Sequence, residues 1–313
     1  MPNERRALLV TGAGGFIGHH LTRLLLGADD QTTIVAQHSP RRPLDVPAQA
    51  NLVALPTDLE NIGRALGDPA LPQRYDGVFH LAAYTPKASG NEDEAAVVAS
   101  NVVGLRELLA VCEGRVDRFI FASTLDVYGV PTAPLSEESP LCPETLYAAS
   151  KILGEVAVRR WGRRTKARTA VLRVGHIYGP GEDAYRKLIP NTIRALLAGE
   201  AAVQYGAGAE KRDFLYVTDA ASAFFEMWRS MASADGETLN LVSGESVSVA
   251  EVIALLSSIV GPGAKTERRP AAGQATSFEF DSRRLREKLS FARTPLAEGL
   301  RSEVAWFRAR MNP

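Results

Sequence analysis

Short apolar runs and longer amphipathic stretches alternate through the first half of the chain. Residues 7–11, 32–36, 52–55, 78–81, 118–122 and 170–174 read as buried strands. Helical periodicity lies between them, over residues 17–26, 93–112 and 146–161. That alternation predicts an α/β fold built on a doubly wound parallel sheet, with right-handed crossovers and helices on both faces. After about Gly175 the rhythm changes. Glycine and proline become frequent, as in Gly179-Pro180-Gly181, and helices alternate with short irregular pieces. Residues 175–313 are therefore expected to form a smaller, mixed α/β C-terminal domain over the sheet's ligand edge. Residues 1–174 form the first domain, to which part of 212–245 is expected to return.

The first strand runs straight into glycines at Gly12, Gly15 and Gly18, and helical periodicity follows from Ile17. Such a junction suits a dinucleotide pyrophosphate: backbone N–H groups and the helix dipole face the anion, and no Cβ obstructs it. The common dinucleotide fingerprint would place glycine at 12, 14 and 17, but residue 17 is Ile. The working set is the wider G-x-x-G-x-x-G. Further on, Tyr147 and Lys151 stand one helical turn apart on the same face. Free tyrosine titrates near 10, and a nearby ammonium favours its phenolate. Tyr147 can then take a proton from a substrate hydroxyl, or return it, while Lys151 can also hydrogen-bond the nicotinamide ribose. A glycine turn without ligand and a surface Tyr–Lys pair are the plainer alternatives.

Charge and composition narrow the partners. Lys+Arg and Asp+Glu are equal at 36 each, so no basic excess points to nucleic acid. The basic runs at residues 159–168 and 283–288 read as solvated faces. No apolar run is long enough for a membrane span, and the N-terminus enters the first strand without room for a signal peptide, which leads us to expect a cytoplasmic protein. Cys112 and Cys142 have no metal-ligand spacing and are expected to be reduced thiols, with no metal site.

The TGAGGFIG segment resembles the short-chain dehydrogenase/reductase superfamily, and in particular its extended epimerase/dehydratase branch. Other segments resemble the same family in order: His80-Leu-Ala-Ala83, Asn101, Ser123-Thr124, the Tyr147/Lys151 pair, Arg173-Val-Gly-His-Ile-Tyr-Gly-Pro180, Arg212-Asp-Phe214, and Asn240 with Ser243-Gly244. The resemblance covers the chain from Ala7 to Trp306. It implies a Rossmann-type NAD(P)-binding domain and a C-terminal substrate domain. Thr124, Tyr147 and Lys151 would be catalytic. Gly12, Gly15, Phe16, Ile17, Gly18, Gln37, Arg41, Arg42, Asp58, Leu59, Leu81, Ala82, Ala83, Asn101 and Ser123 would line the cofactor together with Tyr147 and Lys151. Thr85, Thr124, His176 and Arg212 would meet the substrate, with Arg212 on a nucleotide-sugar diphosphate. The helices at 93–112 and 146–161 match those of a family homodimer.

Three departures bear on chemistry. Gln37 stands where NAD-preferring members carry an acid on the adenosine ribose, and Arg41 and Arg42 follow, so of NAD and NADP the latter is slightly favoured. Leu125 and Asp126 replace the Asp-Glu pair of dehydratases, which argues against 4,6-dehydration. His176 replaces an asparagine, as an extra acid or as a plain hydrogen-bond donor. The expected activity is that of an NAD(P)-dependent epimerase or 4-ketoreductase on a nucleoside-diphosphate sugar. Reduction of a non-sugar carbonyl with NADPH, or a non-catalytic cofactor sensor, are the alternatives.

Overall fold

Seven strands, all parallel, form the central sheet in the order β10-β6-β5-β4-β1-β2-β3 once the elements are numbered along the chain. The computed structural model describes residues 6–86, 92–130, 134–182, 187–271 and 276–311. The chain opens with β1 (Ala7–Thr11), α1 (Phe16–Ala28), β2 (Thr33–His38) and β3 (Leu52–Pro56). A 3-10 turn leads into α2 (Ile62–Ala65), followed by β4 (Gly77–His80). Next come α3 (Glu94–Val97), α4 (Leu105–Val111), β5 (Arg118–Thr124), α5 (Leu146–Thr165) and β6 (Arg168–Val174). The second half contains β7 (His176–Tyr178), α6 (Leu188–Leu197), β8 (Ala201–Tyr205), β9 (Lys211–Tyr216), α7 (Val217–Arg229), α8 (Met231–Ala234) and β10 (Thr238–Leu241). It closes with β11 (Ser246–Ser248), α9 (Val249–Val260), β12 (Lys265–Arg269), α10 (Arg283–Lys288) and α11 (Leu296–Met311).

The strand order follows from burial. β1 is buried at every residue, which suits only a central strand covered on both faces. It pairs with β2 on one side and β4 on the other, so the winding reverses at β1. A crevice opens at such a reversal, beyond the carboxyl ends of the strands. Leu21, Leu25, Phe79, Ile120, Leu172 and Phe224 belong to the apolar layer that α1 and α7 cover, whereas Leu9, Val78, Leu108, Phe119, Phe121 and Val158 belong to the opposite layer under α4 and α5. β10 adds the seventh strand beside β6 after the chain has already left the sheet.

Two expectations need correction. Residues 93–112 are not one helix: α3 and α4 are separated by a π-helical segment, Val98–Gly104. The wider turn carries Asn101, which is buried and bonds Tyr84 and Ser150, so a polar side chain on an otherwise apolar face finds partners at the cost of regular winding. The last part of the chain is also more regular than its glycine and proline content suggests. β11-β9-β7 form one small sheet and β12-β8 another, over a third apolar cluster from α6, α9 and α11. Among the described residues, no helix is long and apolar enough to cross a membrane.

Glu303 on α11 is fully buried in that cluster. Burial, with Glu182 close by, pushes its carboxyl up to about 9. The unfolded chain gives up this proton near the ordinary carboxylate value while the folded chain keeps it, so folding loses stability as pH rises from about 4.5 to about 9. Glu303→Gln removes that loss. In thermal denaturation the variant should gain on the wild type steadily from pH 5 to pH 8, by on the order of 2 kcal/mol at the upper end. A difference that does not change with pH would contradict the assignment.

Candidate active site

The glycine turn is the first element of the site. Gly12 has φ +73°, and a Cβ there would lie 2.7 Å from the Ala82 amide nitrogen, so β1 and the segment after β4 meet closer than any side chain permits. A Cβ on Gly18 would overlap the Gly12 carbonyl oxygen. Gly15 caps α1 without a side-chain hydrogen bond, which leaves the first-turn amides without a capping acceptor from its side chain. The cradle that three absent Cβ atoms leave, at a positive helix end, fits a dinucleotide pyrophosphate. Thr11 Oγ1 and His80 Nδ1, 2.7 Å apart, link the ends of β1 and β4. Burial, then the Lys151 charge, pushes the His80 imidazole down to about 3, so it stays neutral.

Lys151 on α5 reaches the end of β5, whose last residue is Thr124, and lies beside Tyr147. The strand runs through Ser123 and Thr124, two residues beyond the expected end, so both hydroxyl residues belong to the sheet and are buried. Lys151 is buried beneath α5, and its Nζ donates to the Ala122 carbonyl at 2.9 Å. The same Nζ lies 5.1 Å from the Phe121 ring centre and 5.9 Å from that of Tyr147. Burial pulls the Lys151 ammonium down to about 8, and the Glu155 carboxylate works against that fall. Thr145 caps α5 by accepting from the Ala148 amide, and Glu92 accepts from the amides of Leu146 and Tyr147. The helix turn that presents Tyr147 is thus held by two separate caps.

At the end of β2, Gln37 does not face the solvent. It is buried, with Oε1 accepting from the Gly12 amide at 2.9 Å and Nε2 donating to the Thr57 carbonyl, so it braces the glycine turn from below. Asp58 accepts from Ser39 Oγ at 2.7 Å and pairs with the exposed Arg41 at 3.4 Å, while Leu59 is buried. The Arg42 carbonyl lies over Gly14, where a Cβ would collide with it. Leu81, Ala82 and Ala83 line the crevice half-buried, and Asn101 fixes the next residue, accepting from the Tyr84 amide at 2.8 Å and donating to its carbonyl at 3.1 Å. Thr85 is exposed beside them.

Beyond the carboxyl end of β6, a cavity of about 640 Å³ is lined by His176, Lys187, Tyr205, Arg212 and Phe214, among others. It starts two residues beyond Val174, the β6 partner of Thr124. Arg212 donates to the carbonyls of Lys211 and Thr276 and lies 5.0 Å over the Phe278 ring. Burial, then the charges of Lys187 and Arg212, pushes His176 down to about 4. A neutral imidazole at physiological pH can donate or accept a hydrogen bond.

Several residues that shape the site were not singled out from sequence. Gly14 is required by the Arg42 carbonyl, Glu92 caps α5 from 54 positions away, and Glu155 bonds Ser123 Oγ and Arg173. The Y-x-x-x-K helix places Glu155 one turn beyond Lys151, a signal that was available. The basic run at 159–168 is not wholly a solvated face either, because Arg159 donates to Glu155 and to Thr238.

The model of the NAD dependent epimerase/dehydratase family matches residues 8–241. Among curated relatives, a dTDP-glucose 4,6-dehydratase of Streptomyces griseus is 31% identical over 321 residues, covering 96% of this chain and 93% of the relative. Another, of Streptomyces niveus, is 29% identical over 315 residues, covering 96% and 92%. Among solved structures, the UDP-N-acetylglucosamine 4-epimerase from Methanobrevibacter ruminantium M1, in complex with UDP-N-acetylmuramic acid, superposes with a TM-score of 0.86 at 26% identity, covering 98% of this chain and 99% of that one. These dehydratase relatives overturn the expectation that 4,6-dehydration is excluded. That expectation rested on Leu125, but Asp126 follows at once, its amide held by Thr124 Oγ1 at 3.2 Å, so losing one carboxyl does not strip the loop of its acid. With the glycine cradle, the α5–β5 crossing and the matched segments in one order, the chain belongs to the NAD dependent epimerase/dehydratase family.

Proposed function

We propose that the protein oxidises the C4 hydroxyl of a nucleoside-diphosphate sugar, with Tyr147 as the group that moves the hydroxyl proton. The observation that carries this reading is the buried Lys151, anchored to the Ala122 carbonyl beside Tyr147 and next to the strand end that holds Thr124. The bound nicotinamide cofactor supplies the hydride acceptor. Tyr147, as the phenolate that the Lys151 ammonium stabilises, takes the O4 proton and becomes the phenol, and Thr124 donates a hydrogen bond to the same oxygen. Arg212 is assigned to the diphosphate, at the cavity that also holds His176. His176, being neutral, orients the sugar rather than protonating it.

Return of hydride to the opposite face makes the enzyme a 4-epimerase, and delivery to a 4-ketone makes it a ketoreductase; the epimerase neighbour supports the first. Elimination after the same C4 oxidation is the second reading, supported by the dehydratase relatives. All of these outcomes need Tyr147. In assays over UDP- and dTDP-hexoses, Tyr147→Phe should lower turnover by about 10²–10⁴-fold while cofactor affinity stays within a few-fold. Unchanged turnover would remove Tyr147 from the chemistry.

The family cofactor is NAD, and we infer that NADP is bound at least as well. Gln37 spends its amide on Gly12 and Thr57, its position holds no carboxylate to repel a 2′-phosphate, and Arg41 and Arg42 follow on the loop above. NADPH should show a dissociation constant no higher than that of NADH by fluorescence titration. A clear NADH preference would reject the inference.

The helix faces also support a homodimer. Leu153 and Val156 on α5 are 52% and 45% exposed, and Val98 is 45% exposed, an apolar surface without cover in one chain. Sedimentation should report a dimer, and a Leu153→Glu/Val156→Glu double variant should report a monomer. A monomeric wild type would contradict this assembly.

A further inference from the structure

The crossing of α5 over the sheet hides an ion pair with more partners than packing requires. Glu155 is 1% exposed. Its Oε1 accepts from Ser123 Oγ at 2.7 Å and from Arg173 Nε at 2.9 Å, and its Oε2 accepts from Arg173 at 2.9 Å and from Arg159 at 3.0 Å. Arg173 in turn donates to the Tyr128 hydroxyl at 2.7 Å, which donates to Asn240 Oδ1 at 2.7 Å. The network therefore joins α5, β5, β6, β10 and the 3-10 turn after Thr124.

The placement of this carboxylate gives it a second consequence. Glu155 lies one helical turn beyond Lys151 on the same face, and Ser123 immediately precedes Thr124. The charged and titratable groups facing this pair are Tyr147 and Arg159 on α5, His80 on β4, Arg173 on β6 and Tyr128 on the turn. Burial holds His80 neutral, and burial likewise raises Tyr128. Two guanidiniums point at the carboxylate itself, so it stays ionised although buried. Lys151 has no carboxylate among its hydrogen-bond partners in the described residues, only the Ala122 carbonyl. The charge that favours its ammonium is that of Glu155.

We propose that Glu155 is a positioning residue of the hydride-transfer site, holding Lys151 as the ammonium that Tyr147 needs and fixing the strand end that carries Thr124. This rests on the reading of Tyr147 and Lys151 given above. Arg173 and Arg159 serve it by keeping the carboxylate charged, and Tyr128 and Asn240 hold Arg173 in its fork geometry.

The test reads the Lys151 charge directly, without turnover. In the NAD-loaded protein labelled with ¹⁵N-lysine, the Lys151 Nζ resonance is assigned by its disappearance in Lys151→Gln and followed against pH. Glu155→Gln removes the charge and, because its amide NH2 cannot accept, the bonds to one of the two carboxylate oxygens, and its Nζ midpoint should fall by on the order of one pH unit. Glu155→Asp restores the charge and should bring the midpoint back close to the wild type, even where both variants lose thermal stability. If Glu155→Gln alone does not fold, Glu155→Gln/Arg173→Met removes both buried charges and should shift the midpoint in the same direction. An unmoved midpoint, with or without a loss of stability, would make Glu155 a purely structural residue and overturn the proposal. That outcome is separate from the fate of Tyr147, since Tyr147→Phe tests the catalytic reading by turnover and the Nζ midpoint does not.

Discussion

The buried carboxylate of Glu155 is the constraint on which the site depends. A carboxylate so far from water is tolerated only when its oxygens are filled by donors and its charge is opposed, and four donors from three elements meet that demand. Their positions are set in return. Ser123, Arg173 and the helix turn carrying Lys151 cannot drift without stranding a charge, and breaking a pair of this kind costs about 3–5 kcal/mol. The requirement that a buried ion be satisfied thus doubles as the device that holds β5, β6 and α5 in register around Tyr147, Lys151 and Thr124.

The other half of the site comes from close approach. β1 and β4 are neighbours because the winding reverses there, and the turn after β1 meets Ala82 with no space for a side chain. Gln37, His80 and Asn101 are buried polar groups that all bond across this junction, to Gly12, Thr11 and Tyr84 respectively. Each satisfies backbone or hydroxyl groups that a tight turn leaves without a partner. The glycine turn is therefore braced by the protein's own hydrogen bonds, which reduces the ordering cost of binding a ligand there.

Much of this was legible along the chain because it is local. Glycine spacing, the Tyr147–Lys151 turn and the apolar run ending at Ser123-Thr124 each lie within a dozen residues, and alternation of strands and helices gave the parallel sheet. What sequence could not supply was long-range pairing. Glu92 caps a helix 54 positions on, and the Gly14 contact needs the loop after β2 to fold back. Gln37 carries no sign of whether its amide faces a ribose or the turn beneath it. Residues 93–112 kept an apolar period that concealed the π-helical widening at Asn101. The argument against dehydration failed because the carboxyl lost at Leu125 was given more weight than the one that Asp126 keeps beside it.

The central claim is that the α5–β5 crossing performs oxidation at the sugar C4, whatever follows it. A UDP-hexose deuterated at C4, carried through a single turnover by the NAD-loaded enzyme, tests this most directly. The account predicts that deuterium leaves C4 for the nicotinamide and that the turnover is slowed relative to the protiated sugar. Product formed at the same rate, with the label never leaving C4, would contradict it.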